Sequence, residues 1–293
     1  MKKILITENQ LQKIKKFIKE ERLRGYVFDW DDNILRMPTE IFLKDNKGNV
    51  VGMSTEEFAN YRSDIGKKPF VYKGKTIVNF DTEPFRDFRN DKKFLIDVRT
   101  AIGNKKFAPS YKKFIEALTY GNPFAINTAR GHSPEALKKG VKIFIETVLS
   151  NDQKEAMLNS IKKELPKNLT KGLNNNQLVD LYIDESGEFY PVSSEEFGKR
   201  FGVDVSGSGA NPEHSKQIVI EHFVKKMIDG FKNHIVSGKY KKISLGFSDD
   251  DIKNVKAVEK FIEEQLKKMY PEVQFVIYDT SDGGKKKMVV QKN

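Results

Sequence analysis

The chain contains no cysteine. Disulfides, iron–sulfur clusters, cysteine nucleophiles and thiolate zinc sites are therefore excluded. No apolar run approaches the roughly 20 residues needed to span a bilayer. The start, Met1-Lys-Lys-Ile-Leu-Ile6, turns polar at Thr7 before a secretory apolar region develops. A cytoplasmic protein with no membrane association is expected. Histidine is scarce: His132, His214, His222 and His234 show no zinc-protease spacing and are read as surface or packing residues. Arginine is scarce too, supplying only nine of the 52 basic residues. The net charge of +11 suggests an acidic partner, such as nucleic acid or a phosphorylated substrate. However, the lysines are spread evenly, and no arginine-rich or aromatic-interleaved basic stretch marks a nucleic-acid surface.

What is present is a chain of 293 residues, long enough for one elaborated domain or a domain with an insertion. Thr7-Glu-Asn-Gln10 has capping-box spacing, and Leu11, Ile14, Phe17 and Ile18 continue an amphipathic helix to about Arg22. Short apolar strands are predicted at Tyr26–Phe28, Phe124–Ile126, Leu178–Ile183, Lys242–Phe247 and Val273–Tyr278. Helices are predicted around Pro109–Leu118, from Ser133, over Glu213–Phe231 and to about Met269. Glu40–Leu43 and Val50–Met53 flank a hairpin turn, Ser54 opens a helix, and Lys286–Gln291 is expected to fold back as an edge strand. Strands alternating with helices call for a parallel α/β sheet, Rossmann-like, with helices on both faces. Ile41–Phe58 and Leu181–Phe197 share a pattern ending in Ser-Ser/Thr-Glu-Glu-Phe, read as two solutions to one local problem rather than a duplication.

Three predicted strands end in distinctive polar clusters: Asp29/Asp31, Thr128/Arg130 and Asp249/Asp250. Ligand sites in parallel α/β sheets form at the carboxyl ends of strands, so neighbouring strands would bring these clusters together. An Asp-x-Asp pair alone is weak, since about one is expected by chance among nineteen aspartates. Its position directly after an apolar strand is what gives it weight. From the residues alone other readings stay open: Asp31 and Asp32 as turn caps, Thr128 as a turn or N-cap residue, Lys216 as a solvated helix lysine like Lys225 and Lys226, and Asp249–Asp251 as a helix cap.

The segment Phe28-Asp-Trp-Asp-Asp-Asn-Ile-Leu35 resembles the first motif of the haloacid dehalogenase-like (HAD) phosphatase superfamily. Ile126-Asn-Thr-Ala-Arg130, Pro212-Glu-His-Ser-Lys216 and Ile243-Ser-Leu-Gly-Phe-Ser-Asp-Asp-Asp251 are similar to its three later motifs. Asn33 stands where that family usually has Thr or Val, and the last motif lacks the common Gly-Asp pair. The resemblance implies a magnesium-dependent phosphatase acting through an aspartyl-phosphate on a phosphorylated small molecule or nucleotide. Asp29 would be the nucleophile and Asp31 the acid–base partner. Thr128 would bind the phosphoryl oxygens and Lys216 would neutralise charge on them. Mg2+ would be held by Asp29, the Asp31 carbonyl and Asp249 or Asp250, Asp250 preferred, with Asn254 in support.

The implied layout is an N-terminal helix over 1–25 and a discontinuous core of 26–35, 107–149 and 178–293. A cap insertion spans 36–106, a polar helix–loop insertion 150–177, and a second, loop-rich insertion 184–212. Arg36, Thr39, Arg86 and Arg89 are unranked specificity candidates within the cap. Two other functions stay open: a nucleic-acid end phosphatase using the same core, favoured by the charge, and a non-catalytic HAD-like binding or structural module. Oligomeric state is not legible.

Overall fold

Along the central strand β1 (Arg22–Phe28), Leu23 and Val27 pack into one apolar cluster, while Tyr26 and Phe28 pack into another on the opposite face. A strand whose two side-chain rows are both buried needs cover on both sides. The computed structural model, which describes residues 22–205, 211–284 and 286–289, supplies it. In chain order the remaining strands are β2 (Glu40–Asp45), β3 (Val50–Ser54), β4 (Phe70–Tyr72), β5 (Lys75–Phe80), β6 (Phe124–Thr128), β7 (Gly187–Pro191), β8 (Lys242–Asp249), β9 (Val273–Asp279) and β10 (Lys286–Val289). The main sheet has the order β10-β9-β8-β1-β6-β7, parallel except for β10.

The principal helices are α1 (Thr55–Tyr61), α2 (Asp91–Gly103), α3 (Tyr111–Thr119), α4 (Pro134–Val148), α5 (Asn151–Glu164), α6 (Asn175–Ser186), α7 (Glu195–Phe201), α8 (Pro212–Gly230) and α9 (Ile252–Phe261). Helices α2 to α6 contribute to the Tyr26/Phe28 face, and α7 to α9 to the Leu23/Val27 face. Among the described residues no helix is long and apolar enough to cross a membrane.

Numbered by appearance, the five parallel strands run 3-2-1-4-5 from the β7 edge. The chain winds outward in one direction through β6 and β7, then returns to wind the other way through β8 and β9. The reversal falls between β1 and β8, and the crevice outside the carboxyl ends of those two strands is where such sheets bind ligands. The residue after β1 is Asp29, and β8 ends at Asp249.

Residues 40–80 form a second, antiparallel sheet of order β3-β2-β5-β4. It has its own core of Ile41, Leu43, Val51, Met53, Ile65, Tyr72 and Ile77. Within the segment 36–106, where a hairpin and a helix opening at Ser54 were expected, there is thus a four-stranded sheet with α1. Helix α2 belongs to the same stretch of chain, yet its Phe94, Val98, Ala101 and Ile102 lie in the main core with Trp30 and Phe114.

Three expectations need correcting. Leu178–Ile183 is not the third strand but the middle of α6. Asn174 and Gln177 form a reciprocal capping box there, and Leu178, Tyr182 and Ile183 are buried at helical spacing. The third parallel strand is β7, Gly-Glu-Phe-Tyr-Pro, followed by α7, so the described residues of the segment 184–212, expected to be loop-rich, include the end of α6, a sheet strand and a helix. Its proline fits because β7 is an edge strand. The expected N-terminal unit 1–25 overlaps β1, which already begins at Arg22; the helix expected before that lies outside the described residues. The two similar segments share only a helix start, with Ser54 and Ser194 as N-caps, in keeping with two solutions to one local problem. Hairpin β2–β3 precedes one, while the end of α6 and β7 precede the other.

Candidate functional site

Trp30 sets the geometry of the first cluster. Its indole is fully buried against Phe94 and Phe114, anchoring the middle of Asp29-Trp-Asp31 in the core. The backbone then turns sharply, with Ile34 and Leu35 donating to the Trp30 carbonyl. Asp32 adopts a left-handed φ of 50°, a conformation Asp tolerates better than most residues.

Asn33, the departure from the family pattern, is the tie that holds this turn to the sheet. Its Nδ2 donates to the carbonyls of Asp29 (3.0 Å) and Ser248 (3.1 Å). Its Oδ1 accepts from Ser248 Oγ (2.8 Å) and Thr280 Oγ1 (3.1 Å). One buried amide thus joins the ends of β1, β8 and β9. Asn33→Ala is expected to cost about 2–4 kcal/mol, because several buried polar groups lose a partner together. A urea midpoint equal to wild type would show that the tie contributes nothing.

Lys216 comes from the opposite face. Pro212 and the Asn211 side chain, which accepts from His214 N at 3.0 Å, start α8. The helix lies close against β1 at Gly25, where a Cβ would stand 2.4 Å from Met227 Sδ. Lys216 Nζ donates to Asp29 Oδ1 (2.9 Å) and Asp249 Oδ2 (2.7 Å), and the lysine is only 2% exposed. Burial alone would lower its pKa, but Asp249 and Asp29 more than reverse this, so it stays charged. The competitors are elsewhere: Lys225 and Lys226 are exposed, and Lys226 pairs with Glu188.

The acidic residues after β8 divide their work. Asp249 accepts from Lys216, from Asp251 N (2.9 Å) and from Asn254 Nδ2 (3.0 Å), so Asn254 supports Asp249 rather than Asp250. Asp251 caps α9 by accepting from Lys253 N, and also pairs with Arg62 at 3.1 Å. The Asp250 carboxyl is pushed up to about 9 by burial and by the charges of Asp29, Asp249 and Asp32, with only Lys216 among the leading influences opposing. Asp29 is likewise raised by burial, with Lys216 opposing and Asp249 and Asp31 adding to the effect.

Asp31 leans the other way. Arg130, just beyond β6, grips it with Nε to Oδ2 (2.7 Å) and Nη2 to Oδ1 (2.6 Å). Thr128 is buried beside them, its Oγ1 at 3.4 Å from Asp31 Oδ2. Helix α1, which packs with the second sheet, meets this rim at its two ends: Thr55 Oγ1 donates to Asp32 Oδ2 (2.5 Å), and Arg62 at its C-cap reaches Asp251. Of the specificity candidates, Thr39 is buried against Arg130, Arg36 pairs with Glu56, Arg86 pairs with Asp81, and Arg89 is exposed with its stem near Gly131.

All six residues expected at the site thus lie in one hydrogen-bonded or electrostatically interacting group. The Asn33 network and the Arg130–Asp31 pair went unassigned in the sequence, where Thr39 stood only as an unranked specificity candidate and His132 as a surface or packing residue. Arg130 had a visible signal there, its place at a strand end.

Four carboxyl groups (Asp29, Asp31, Asp249 and Asp250) face two cations (Lys216 and Arg130), so ionising all four would leave two negative charges unbalanced, and burial and mutual repulsion raise Asp29 and Asp250 accordingly. Among the described residues no three acidic or imidazole side chains stand together as a preformed metal cage. Magnesium does not need one, since it keeps several waters and takes one or two carboxylates plus substrate oxygens. Hard oxygen donors fit such an ion, whose charge would favour the ionised forms of Asp29 and Asp250. Comparison with protein-family models, curated proteins and solved structures gives no match to this chain.

Proposed function

We propose that this protein is a magnesium-dependent phosphohydrolase of HAD-like type, acting on a phosphomonoester through an aspartyl-phosphate on Asp29. The observation that carries this reading is Lys216 Nζ bridging Asp29 and Asp249 at the switch point of the sheet. Three strand ends and a separate helix contribute to one acidic cluster in which Asp29, Thr128, Lys216 and Asp249 are buried, with Asp31 two residues beyond the nucleophile.

In the first half-reaction an Asp29 oxygen attacks phosphorus. The phosphorus–ester oxygen bond breaks, its electron pair stays on the ester oxygen, and a proton from Asp31 converts that oxygen to an alcohol. In the second, Asp31 takes a proton from water, the water oxygen attacks phosphorus, and the bond to Asp29 breaks. Thr128 Oγ1 and Lys216 Nζ offer donors to the phosphoryl oxygens. Magnesium, held by Asp29, Asp250 and the Asp31 carbonyl, would offset the repulsion between an anionic nucleophile and an anionic phosphoryl group. Asp249, satisfied by Lys216 and Asn254, holds the lysine in place. The sheet of residues 40–80 serves as a cap, since Thr55 and Arg62 join it to the rim.

The test is phosphate release from a panel of monoesters with magnesium and with EDTA. Turnover that survives EDTA, or no turnover on any ester, overturns the reading. The +11 charge favours a second substrate class, a phosphorylated nucleic-acid end. For that class, hydrolysis of a 3′-phosphorylated oligonucleotide is expected to fall steeply between 50 and 200 mM salt, by about 10-fold or more, while free nucleotides remain poor substrates. Fast, salt-independent turnover of a nucleotide rules it out.

A further inference from the structure

Asp31 has to give up and take a proton in the reaction proposed above, yet both its oxygens are held by one guanidinium. We propose that Arg130 is the positioning residue for Asp31, fixing the acid–base carboxylate beside Asp29 without itself touching substrate. This rests on the phosphohydrolase reading of the same crevice.

Arg130 is only 1% exposed, and four of its five N–H hydrogens are engaged within the protein. Nε and one Nη2 hydrogen go to Asp31, the other Nη2 hydrogen goes to Thr39 Oγ1 (2.7 Å), and Nη1 donates to His132 Nε2 (3.0 Å). Its faces are covered as well, with Phe88 and Phe94 ring centroids at 4.7 and 5.3 Å. Little is left to offer a phosphate.

The frame around Arg130 is equally determined. His132 accepts from a guanidinium, which requires a neutral ring protonated on Nδ1, the nitrogen facing Asp91 Oδ1 at 3.6 Å. Burial and the Arg130 charge hold this imidazole down at about 4, consistent with that form. Thr39, while accepting from Arg130, donates to Asp97 Oδ2 (2.8 Å), and Lys93 closes the chain on Asp97 Oδ1 (2.5 Å). Asp31 is therefore oriented from α2 through a continuous buried network. A planar fork meeting a carboxylate with two bonds fixes its plane as well as its position, which a lysine ammonium does not.

Loss of positioning affects the two half-reactions differently, and the leaving group separates them. p-Nitrophenolate departs without a proton, so with p-nitrophenyl phosphate only the water step depends on Asp31. An alkyl phosphate needs Asp31 in both steps. Arg130→Lys is expected to release a burst of p-nitrophenol equal to the enzyme concentration, followed by a slow steady state. Turnover of an alkyl phosphate is expected to fall about 10²-fold or more with no burst, in the range general acid–base groups contribute. Wild-type enzyme should show no burst.

Thr39→Val keeps the shape and removes only the hydroxyl that steadies Arg130, so it should shift the same two readouts in the same direction by less. It serves if Arg130→Lys does not fold. Equal losses on both esters without a burst, in the variant that folds, would mean a merely structural arginine and overturn the proposal. Wild-type protein that hydrolyses neither ester overturns the phosphohydrolase reading itself, and the positioning role falls with it. A wild-type enzyme active on both esters separates the two failures.

Discussion

Asp29→Asn is expected to reduce magnesium-dependent hydrolysis by on the order of 10⁴-fold or more, because a covalent route loses its nucleophile while the shape of the site stays. The amide oxygen still accepts from Lys216 Nζ, and Lys216 keeps Asp249 as its ionic partner at 2.7 Å. The stability effect runs opposite to the activity effect. Burial and the neighbouring Asp249 and Asp31 raise the Asp29 carboxyl above its ordinary value despite Lys216. A carboxyl with a raised folded-state pKa favours the fold at low pH, and that advantage is lost as pH rises through the raised value. At neutral pH without magnesium, the ionised form is therefore a strain that asparagine removes. The expected result is an inactive variant whose melting temperature equals or exceeds wild type at pH 7–8, with a smaller difference near pH 5. Phosphate release and thermal scans at both pH values check it. Turnover within tenfold of wild type would remove Asp29 as the nucleophile.

Much of this crevice was legible because its key residues sit where regular structure stops. An apolar strand ending in Asp29-Trp-Asp31, another ending in Thr128 and another in Asp249 need only a parallel sheet to converge, and alternation of strands and helices supplies that expectation. The failures have physical causes as well. Leu178–Ile183 has strand-like composition, but the cap at Asn174 decides the local structure, four residues before the apolar run begins. The true third strand, β7, carries Glu, two aromatics and a terminal proline, so nothing in its composition separates it from a loop. The partners of Asp31 were hidden for another reason. Thr39, Arg130 and His132 meet only because the stretch after β1 and the loop after β6 fold over one another, and no local pattern encodes a contact across about ninety residues. Asn33 looked like a departure from a motif. Its meaning lies in Ser248 and Thr280, more than two hundred residues away.

Lys216→Met should produce the largest loss of stability of any single change at the site. The substitution keeps most of the volume, so the effect isolates the charge. Its removal leaves Asp29 and Asp249 close together and buried, each without the cation between them. Breaking a buried ion pair by deleting one partner typically costs about 3–5 kcal/mol, and two carboxylates lose theirs here. In wild type this support does not vary through neutral pH. The folded-state pKa of Lys216 lies above its ordinary value, so its contribution is complete below that ordinary value and is lost only as pH rises through the higher one. In the variant the deficit should depend on pH, shrinking as acid protonates the stranded carboxyls. It should also shrink with millimolar magnesium, because a divalent ion can take over part of the charge the lysine carried, provided this crevice binds one. Melting curves at pH 5 and 8, with magnesium and with EDTA, separate these effects. A variant as stable as wild type at pH 8 contradicts the buried-pair energetics. One destabilised but indifferent to magnesium contradicts the metal site, because no part of the crevice should be shorter of positive charge than this.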